Sequence, residues 1–182
     1  MKNTLLHAQK EIWERLVKIK GSNSIGSAYL FSGPKGSGKE ELAIKFSQLL
    51  NCKTLSLGIC YECESCTRFK SLQHERLNII VPLPLPKSGK VDDRKVLISD
   101  DYINAIKKKS SDPFYKISIP KANRILIQSI RGLKKTLYLK QEDDGGRNMV
   151  IIFDSDLLCT GQGESGNALL KILEEPPEHT TI

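Results

Sequence analysis

The sequence predicts an α/β domain with a parallel sheet, a phosphate-binding loop and a small insert that carries four cysteines. Short apolar runs alternate along the chain with segments of helical periodicity, the order that builds parallel sheets. A glycine-rich segment at residues 33–39 lies between one such run and one such helix, and the cysteines begin directly after that helix. Together these observations favour a P-loop fold with an inserted metal-binding module.

Each element is predicted from its local pattern. Apolar runs predict strands at residues 28–31, 77–81 and 149–153, and residues 180–182 are expected to begin another strand. Helical spacing predicts helices at residues 5–19, 39–50, 102–109, 121–139 and 167–174. A spacing of three or four residues predicts the buried face of the first helix: Ala8, Ile12, Leu16 and Ile19. Ser165 is expected to cap the last helix, and an acidic, glycine-rich turn is expected at residues 142–146.

Length and composition limit the possible classes of protein. A chain of 182 residues with 39% hydrophobic and 27% charged residues is typical of one globular domain, here residues 1–182 with an insert at 51–70. No apolar stretch approaches the roughly 18 residues of a membrane span, and no secretory signal is recognisable. We therefore expect a cytoplasmic protein without a membrane partner.

The chain is modestly basic, with a formal net charge of +7. That charge permits contact with nucleic acid, but basic residues spread over solvated helix faces would give the same total. The densest basic run, at residues 107–109, is expected to end a short helix, where cations suit the helix dipole.

The glycine-rich loop has the composition of a phosphate cradle. Its backbone N–H groups and the positive end of the next helix would face phosphate oxygens. The candidate nucleotide-binding residues here are Gly33, Gly36, Ser37, Gly38, Lys39 and Glu40. Lys39 would reach the phosphates, but Glu40 stands where Ser or Thr usually ligates Mg²⁺.

Asp154 follows an apolar strand, as the second metal-binding residue of such sites does. Hydrolysing relatives commonly place a glutamate next, whereas Ser155 follows here, and a serine hydroxyl is a poor general base. Three alternatives remain: a loop that only joins strand to helix, a loop that binds ATP, and a site that also hydrolyses it. ATP and Mg²⁺ are therefore doubtful cofactors.

Four cysteines have the spacing of a zinc module: Cys52, Cys60, Cys63 and Cys66. Four thiolates complete the tetrahedral shell of Zn²⁺ and leave no position for substrate, so the metal would be structural. The alternatives are unligated thiols or a redox pair. We expect Cys159 to be a separate thiol and His74 not to be a ligand.

Several segments resemble one protein family. They are residues 28–34 (AYLFSGP) leading into the loop, the four cysteines, Ile130-Arg131-x-Leu133, and residues 167–179 (NALLKILEEPPEH). With them, the chain resembles the N-terminal AAA+ domain of bacterial DNA polymerase III clamp-loader subunits, most closely those of the delta-prime type. The similarity extends over most of the chain, with a gap at about residues 82–113, for which no role is predicted.

The resemblance implies a part in DNA replication, as a subunit of the DNA polymerase III holoenzyme that helps to load the sliding clamp onto primed DNA. Its partners would be the other clamp-loader subunits and, through the complex, the clamp and primer–template DNA. In this family motor subunits of the gamma/tau type hydrolyse ATP, whereas the delta-prime stator typically has a degenerate site. Glu40 and Ser155 favour the stator. A third hypothesis is a zinc-dependent nucleic-acid binder that uses Arg68 and Lys70.

The arginine finger, lid and collar of the family would lie beyond Ile182, so we expect a fragment.

Overall fold

A three-stranded parallel sheet lies at the centre of the protein. The computed structural model describes residues 8–22, 24–54, 58–85, 99–139 and 146–182. The elements are α1 (Lys10–Gly21), α2 (Lys39–Leu50), α3 (Glu64–Lys70), β1 (Leu77–Ile80), α4 (Asp100–Ser111), α5 (Ile127–Leu139), β2 (Asn148–Ile152), a 3₁₀ helix (Ser155–Cys159), α6 (Glu164–Glu174) and β3 (Thr180–Thr181). The predicted α/β class with a parallel sheet is therefore confirmed.

The strands are ordered β1-β2-β3, and both pairings are parallel. Leu77 pairs with Met149, and Asn148 pairs with Thr180. Beyond β3, Tyr29 donates a backbone hydrogen bond to Ile182 at 2.9 Å, and Ile182 donates to Ser27 at 2.9 Å. These bonds bring the residues that precede the loop alongside the end of β3.

Helices pack on both faces of the sheet. Successive residues of β2 point to opposite faces, so they belong to different cores. Val150 packs with Ile130 of α5 and Ile172 of α6, whereas Ile151 packs with Ile44 of α2 and Ala105 of α4. This layering positions the start of α2 and the end of α4 on the same side of the sheet, where the candidate site lies.

The structure differs from the sequence predictions at three elements. Residues 28–31 form no regular strand, and Leu30 is 83% exposed. In α1, Leu16 is buried but Ile12 is exposed, because Trp13 and Val17 complete the packed face instead. The helix predicted at 121–139 begins only at Ile127; the residues before it include a turn at Lys121 and an isolated bridge between Arg124 and Leu83.

Ser165 does not cap α6. Gly163 occupies the cap position, and the hydroxyl of Ser165 is buried inside the first turn, where it donates to the carbonyl of Ile125 at 2.7 Å. Residues 142–145 of the predicted turn and residues 5–7 of the first predicted helix lie outside the described residues. Within the described ranges no helix has the length and apolar character needed to cross a membrane.

Candidate functional site

The glycine-rich loop turns sharply into the N-terminus of α2. Gly36 and Gly38 both have φ near +80°, a backbone conformation that residues other than glycine rarely adopt. Gly38 directly precedes α2, whose first-turn N–H groups have no acceptor within the helix. The loop therefore presents backbone donors at the positive end of a helix, an arrangement suited to an anion.

The lysine of the loop lies folded back on it. Lys39 Nζ donates to the carbonyl oxygens of Gly33 at 3.1 Å and Pro34 at 3.2 Å. The loop is further held by Gln9, whose side-chain amide donates to the carbonyl of Ser37 at 3.1 Å. The Ser37 hydroxyl is buried and has no hydrogen-bond partner among the described residues. Lys39 is thus within reach of any anion that enters the loop.

Glu40, the first departure from a standard phosphate loop, has a specific partner. Its Oε2 lies 2.5 Å from Nζ of Lys109, 69 residues further along the chain. The same ammonium group donates to the carbonyl oxygens of Pro113 at 2.9 Å and Tyr115 at 2.8 Å. An ammonium has three protons, so all of its donors are used. Glu40 is therefore held in a charge-assisted bond beside the loop.

Lys109 was not among the candidate site residues, because the basic run at 107–109 was expected only to end a short helix. Its side chain is only 1% exposed, and Nζ lies 5.8 Å from the ring centroid of Phe153. A signal was present in the sequence: Lys109 follows Tyr102, Ala105 and Ile106 at helical spacing, on the face of α4 that packs inward. The helical spacing therefore places Lys109 on the buried face of α4, although a charged residue is not usually expected there.

Asp154, the second acidic residue of the predicted site, also pairs with a lysine. Lys116 Nζ lies 3.3 Å from Asp154 Oδ1, and the Lys116 side chain is 56% exposed. Asp154 follows β2 in the left-handed region, with φ of 48°. Ser155, next in the chain, is exposed and begins the 3₁₀ helix.

One cavity of about 510 Å³ brings two of the predicted loop residues together with Asp154, whereas Gly33, Gly36, Ser37 and Gly38 are not in its lining. Lys39, Glu40, Asp154 and Ser155 contribute to its lining, and β2 supplies much of the rest. This volume is within the ordinary range for small-molecule sites. The fold thus places residues from two distant parts of the sequence around one space.

The four cysteines also converge. The sulfur atoms of Cys52, Cys60, Cys63 and Cys66 all lie within 4.8 Å of one another. The sulfurs of Cys60 and Cys66 are 3.8 Å apart. A tetrahedral Zn²⁺ with Zn–S bonds of about 2.3 Å requires sulfur–sulfur distances of about 3.8 Å. The arrangement of the thiols therefore fits a zinc ion.

Backbone donors around the cysteines favour thiolates. Cys63 N–H points at the sulfur of Cys60 at 3.3 Å, and Cys66 N–H points at the sulfur of Cys63 at 3.4 Å. Backbone hydrogen bonds from Cys63 and Glu62 lower the pKa of Cys60 to about 6. Burial raises the pKa of Cys66 instead, so a nearby cation would favour the thiolate of Cys66.

Buried hydrogen bonds fasten the cysteine module, residues 51–70, to α2. The Gln48 amide donates to the carbonyl of Cys66 at 2.9 Å. Within the module, the Ser65 hydroxyl donates at 2.8 Å to the carbonyl of Asn51, the residue that directly follows α2. The side chain of Asn51 accepts from the backbone N–H of Arg147 at 2.9 Å, just before β2. The module is thus attached to both the helix and the sheet.

His74 lies behind the module and is not one of the clustered ligands. Its ring stacks on Phe69 at 4.2 Å, and Nδ1 accepts from the backbone N–H of Arg76 at 3.1 Å. Nε2 lies 3.0 Å from the hydroxyl of Ser65, which already donates to Asn51, so Nε2 carries the proton. Burial lowers the pKa of His74, in agreement with this neutral form.

Arg68, which the nucleic-acid hypothesis singled out, is engaged in ion pairs within the protein. Its guanidinium lies 2.9 Å from the carboxylate of Glu75 and 3.8 Å from that of Glu64. This arrangement neutralises much of the charge that the hypothesis requires at this position. Lys70 is exposed at the end of α3.

Three curated relatives are similar to nearly the whole chain. The identity is 27% over 174 residues to DNA polymerase III subunit tau of Bacillus subtilis (strain 168), which covers 95% of this chain and 23% of that protein. The identity is 30% over 172 residues to DNA polymerase III subunit gamma/tau of Mycobacterium tuberculosis (strain ATCC 25618 / H37Rv), which covers 94% of this chain and 23% of that protein. The identity is 26% over 172 residues to DNA polymerase III subunit tau of Escherichia coli (strain K12), which covers 94% of this chain and 20% of that protein. The chain spans about a fifth of the length of these relatives.

A protein family also matches the chain. The family described as DNA polymerase III, delta subunit, matches residues 8–182. That range contains the phosphate loop, the four cysteines and the strands of the sheet. Since the match extends over nearly the whole sequence, the chain belongs to the DNA polymerase III, delta subunit family.

Proposed function

We propose that this chain is the AAA+ domain of a clamp-loader subunit of the delta-prime type, a stator that does not itself hydrolyse ATP. The family match and the similarity to tau and gamma/tau subunits support a role in DNA replication within the DNA polymerase III assembly. Its partners would be the other clamp-loader subunits, with the sliding clamp and primed DNA reached through the complex. Residues 1–182 would form one domain of that subunit.

The bond between Glu40 and Lys109 supports the stator over the motor. In a hydrolysing site a hydroxyl at position 40 would ligate Mg²⁺, but here a carboxylate stands there and is bound to an ammonium at 2.5 Å. Ser155 adds to this, because an exposed serine after Asp154 cannot activate water as a glutamate would. Two parts of the hydrolytic machinery are thus replaced.

The cysteine module would bind one structural zinc ion through Cys52, Cys60, Cys63 and Cys66. The sulfur spacing supports this assignment, and a complete set of four protein ligands leaves no open position for catalysis. The loop residues 33–40 and Asp154 would form a degenerate nucleotide site.

A second candidate is an ATP-hydrolysing motor subunit of the gamma/tau type. The observation that favours it is that the three relatives described above are tau or gamma/tau subunits. In this case Glu40 and Ser155 would be tolerated, and the Lys109 bond would have to open when Mg·ATP enters.

An ATPase assay separates the two candidates. The purified protein would be tested with Mg²⁺, alone and together with the other clamp-loader subunits of its organism, against the variant Lys39→Ala. A matched control is Lys35→Ala, which removes an exposed lysine of the same loop. The stator predicts no hydrolysis that depends on Lys39 of this chain. A Mg²⁺-dependent rate that is lost in Lys39→Ala and kept in Lys35→Ala would establish the motor instead.

A further inference from the structure

Two lysines from one short segment pair with two of the acidic groups beside the phosphate loop, Glu40 and Asp154. Lys109 binds Glu40 at 2.5 Å, and Lys116 lies 3.3 Å from Asp154. Both carboxylates line the same cavity as Lys39. We propose that Lys109 and Lys116 take the place of a divalent cation here, so that the loop binds the polyphosphate of a nucleotide without Mg²⁺. This inference rests on the proposed role of the loop as a nucleotide site.

The residues present do not fit Mg²⁺. The ion demands nearly octahedral oxygen ligands at about 2.0–2.1 Å and keeps several waters. At position 40 the carboxylate oxygen that could serve as a ligand is already bound to Lys109. Releasing it would leave an ammonium group that is 1% exposed without its anion, which is strongly unfavourable. A metal ion would therefore have to displace a bond that the fold has buried.

The two lysines have different roles. Lys109 has used its three protons on Glu40, Pro113 and Tyr115, so it cannot also contact a phosphate. It is a positioning residue, which cancels a negative charge that would otherwise repel phosphate. Lys116 is 56% exposed and holds Asp154 at the cavity, so its ammonium can turn toward a bound anion.

The local charge supports this division. Three carboxylates line the cavity, those of Glu40, Asp154 and Asp156, and together with Lys39, Lys109 and Lys116 they carry a net formal charge of zero. Without the two partner lysines the same groups would carry two negative charges, and a metal ion would be needed to attract a polyphosphate. The segment at residues 109–116 supplies that positive charge from within the protein.

The sign of the effect of Mg²⁺ tests the proposal. Binding of a slowly hydrolysed ATP analogue and of inorganic tripolyphosphate would be measured by calorimetry, with and without Mg²⁺. Metal-free buffer should be prepared with a resin and not with a chelator, because a chelator would strip zinc from the cysteines. We expect binding that depends on Lys39 and is weakened by Mg²⁺, since the metal competes with the lysines for phosphate oxygens.

Variants assign the roles of the two lysines. Lys116→Ala is expected to weaken metal-free binding about tenfold, the loss of one charge-assisted hydrogen bond. Lys109→Met is expected to make binding depend on Mg²⁺, because it leaves the carboxylate of Glu40 uncompensated. The matched control is Lys107→Met, which removes an exposed lysine of the same helix. It should change neither the affinity without metal nor the dependence of binding on Mg²⁺. Because Lys116 is largely exposed, its variant still tests the proposal if Lys109→Met fails to fold.

Each result has one meaning. Tighter binding with Mg²⁺ in the unaltered protein, or metal-free binding that Lys116→Ala leaves intact, would overturn the proposal while leaving the loop a nucleotide site. An absence of binding in both buffers would also overturn it, but would leave the stator role untouched, because a stator needs no nucleotide. Hydrolysis dependent on Lys39 would instead refute the stator.

Discussion

Replacing Cys63 by alanine is expected to weaken zinc binding by more than a hundredfold and to loosen the cysteine module alone. Zinc binding by four-ligand structural sites amounts to about 10–16 kcal/mol at neutral pH, or roughly 3 kcal/mol for each ligand. A loss of about 3 kcal/mol corresponds to more than a hundredfold in Kd. Cys63 also caps α3 through its sulfur, which adds to the local loss.

The effect should stay local because of how the module is attached. Two hydrophobic cores pack against the sheet, and among the described residues neither core contains a residue of the module. The module is attached outside those two cores, by the hydrogen bond from Gln48 to Cys66 and by Ile59, which packs against a separate core between α1 and α2. The sheet should therefore keep its packing when the module opens.

Metal analysis, chelator competition and hydrogen exchange would measure these effects. The unaltered protein should contain about one zinc per chain. In Cys63→Ala, amide protection should fall in α3 but not in β2. Cys159→Ala is the matched control, because Cys159 is exposed and outside the sulfur cluster. A Cys63→Ala protein that keeps zinc with unchanged affinity would refute the assignment, and loss of protection throughout β2 would refute the local attachment.

Three further predictions concern stability, each measured by urea unfolding. Burial lowers the pKa of His74 below its ordinary 6.5, so the unfolded chain binds the proton first as the pH falls. The contribution of His74 to the free energy of unfolding is thus complete above pH 6.5 and is lost as the pH falls below that value. His74→Gln should flatten the dependence of this free energy on pH, and an unchanged slope in the variant would contradict the prediction. Ser165→Ala should cost about 1–3 kcal/mol, because it leaves the buried carbonyl of Ile125 without its donor. The exposed Ser111→Ala should cost much less, and equal losses would show that the buried bond is unimportant. Phe46→Ala should cost about 3–5 kcal/mol, since Phe46 is fully buried; a loss below 1 kcal/mol would mean that the core there is not packed as described.

Local patterns in the sequence predicted several of the regular elements and both motifs, but not α3 or the 3₁₀ helix. The helix predicted at residues 39–50 is α2 (Lys39–Leu50), because glycines set its start and its apolar stripe is continuous. The apolar run at 149–153 corresponds to β2 (Asn148–Ile152), displaced by one residue. The cysteine spacing likewise predicted a cluster, since a short chain between ligands restricts where they can lie.

Predictions that depended on neighbours were less successful. Residues 28–31 have the composition of a buried strand, yet Leu30 is exposed, because burial depends on which segments pack against a residue. Ser165 has the residue type of a cap, but the fold places a carbonyl from residue 125 within its reach. Neither the packing around Leu30 nor the hydrogen bond of Ser165 can be predicted from local propensity, because both depend on residues distant in the sequence.

The sequence by itself determined that this chain has a phosphate loop with a glutamate in place of the metal-binding hydroxyl, and a module of four cysteines. Only the tertiary structure decided how that glutamate is compensated. Lys109 lies 69 residues from Glu40, and nothing in the spacing of the two predicts that they meet. They meet because packing of α4 buries an ammonium group, and a buried charge must lie next to an opposite one.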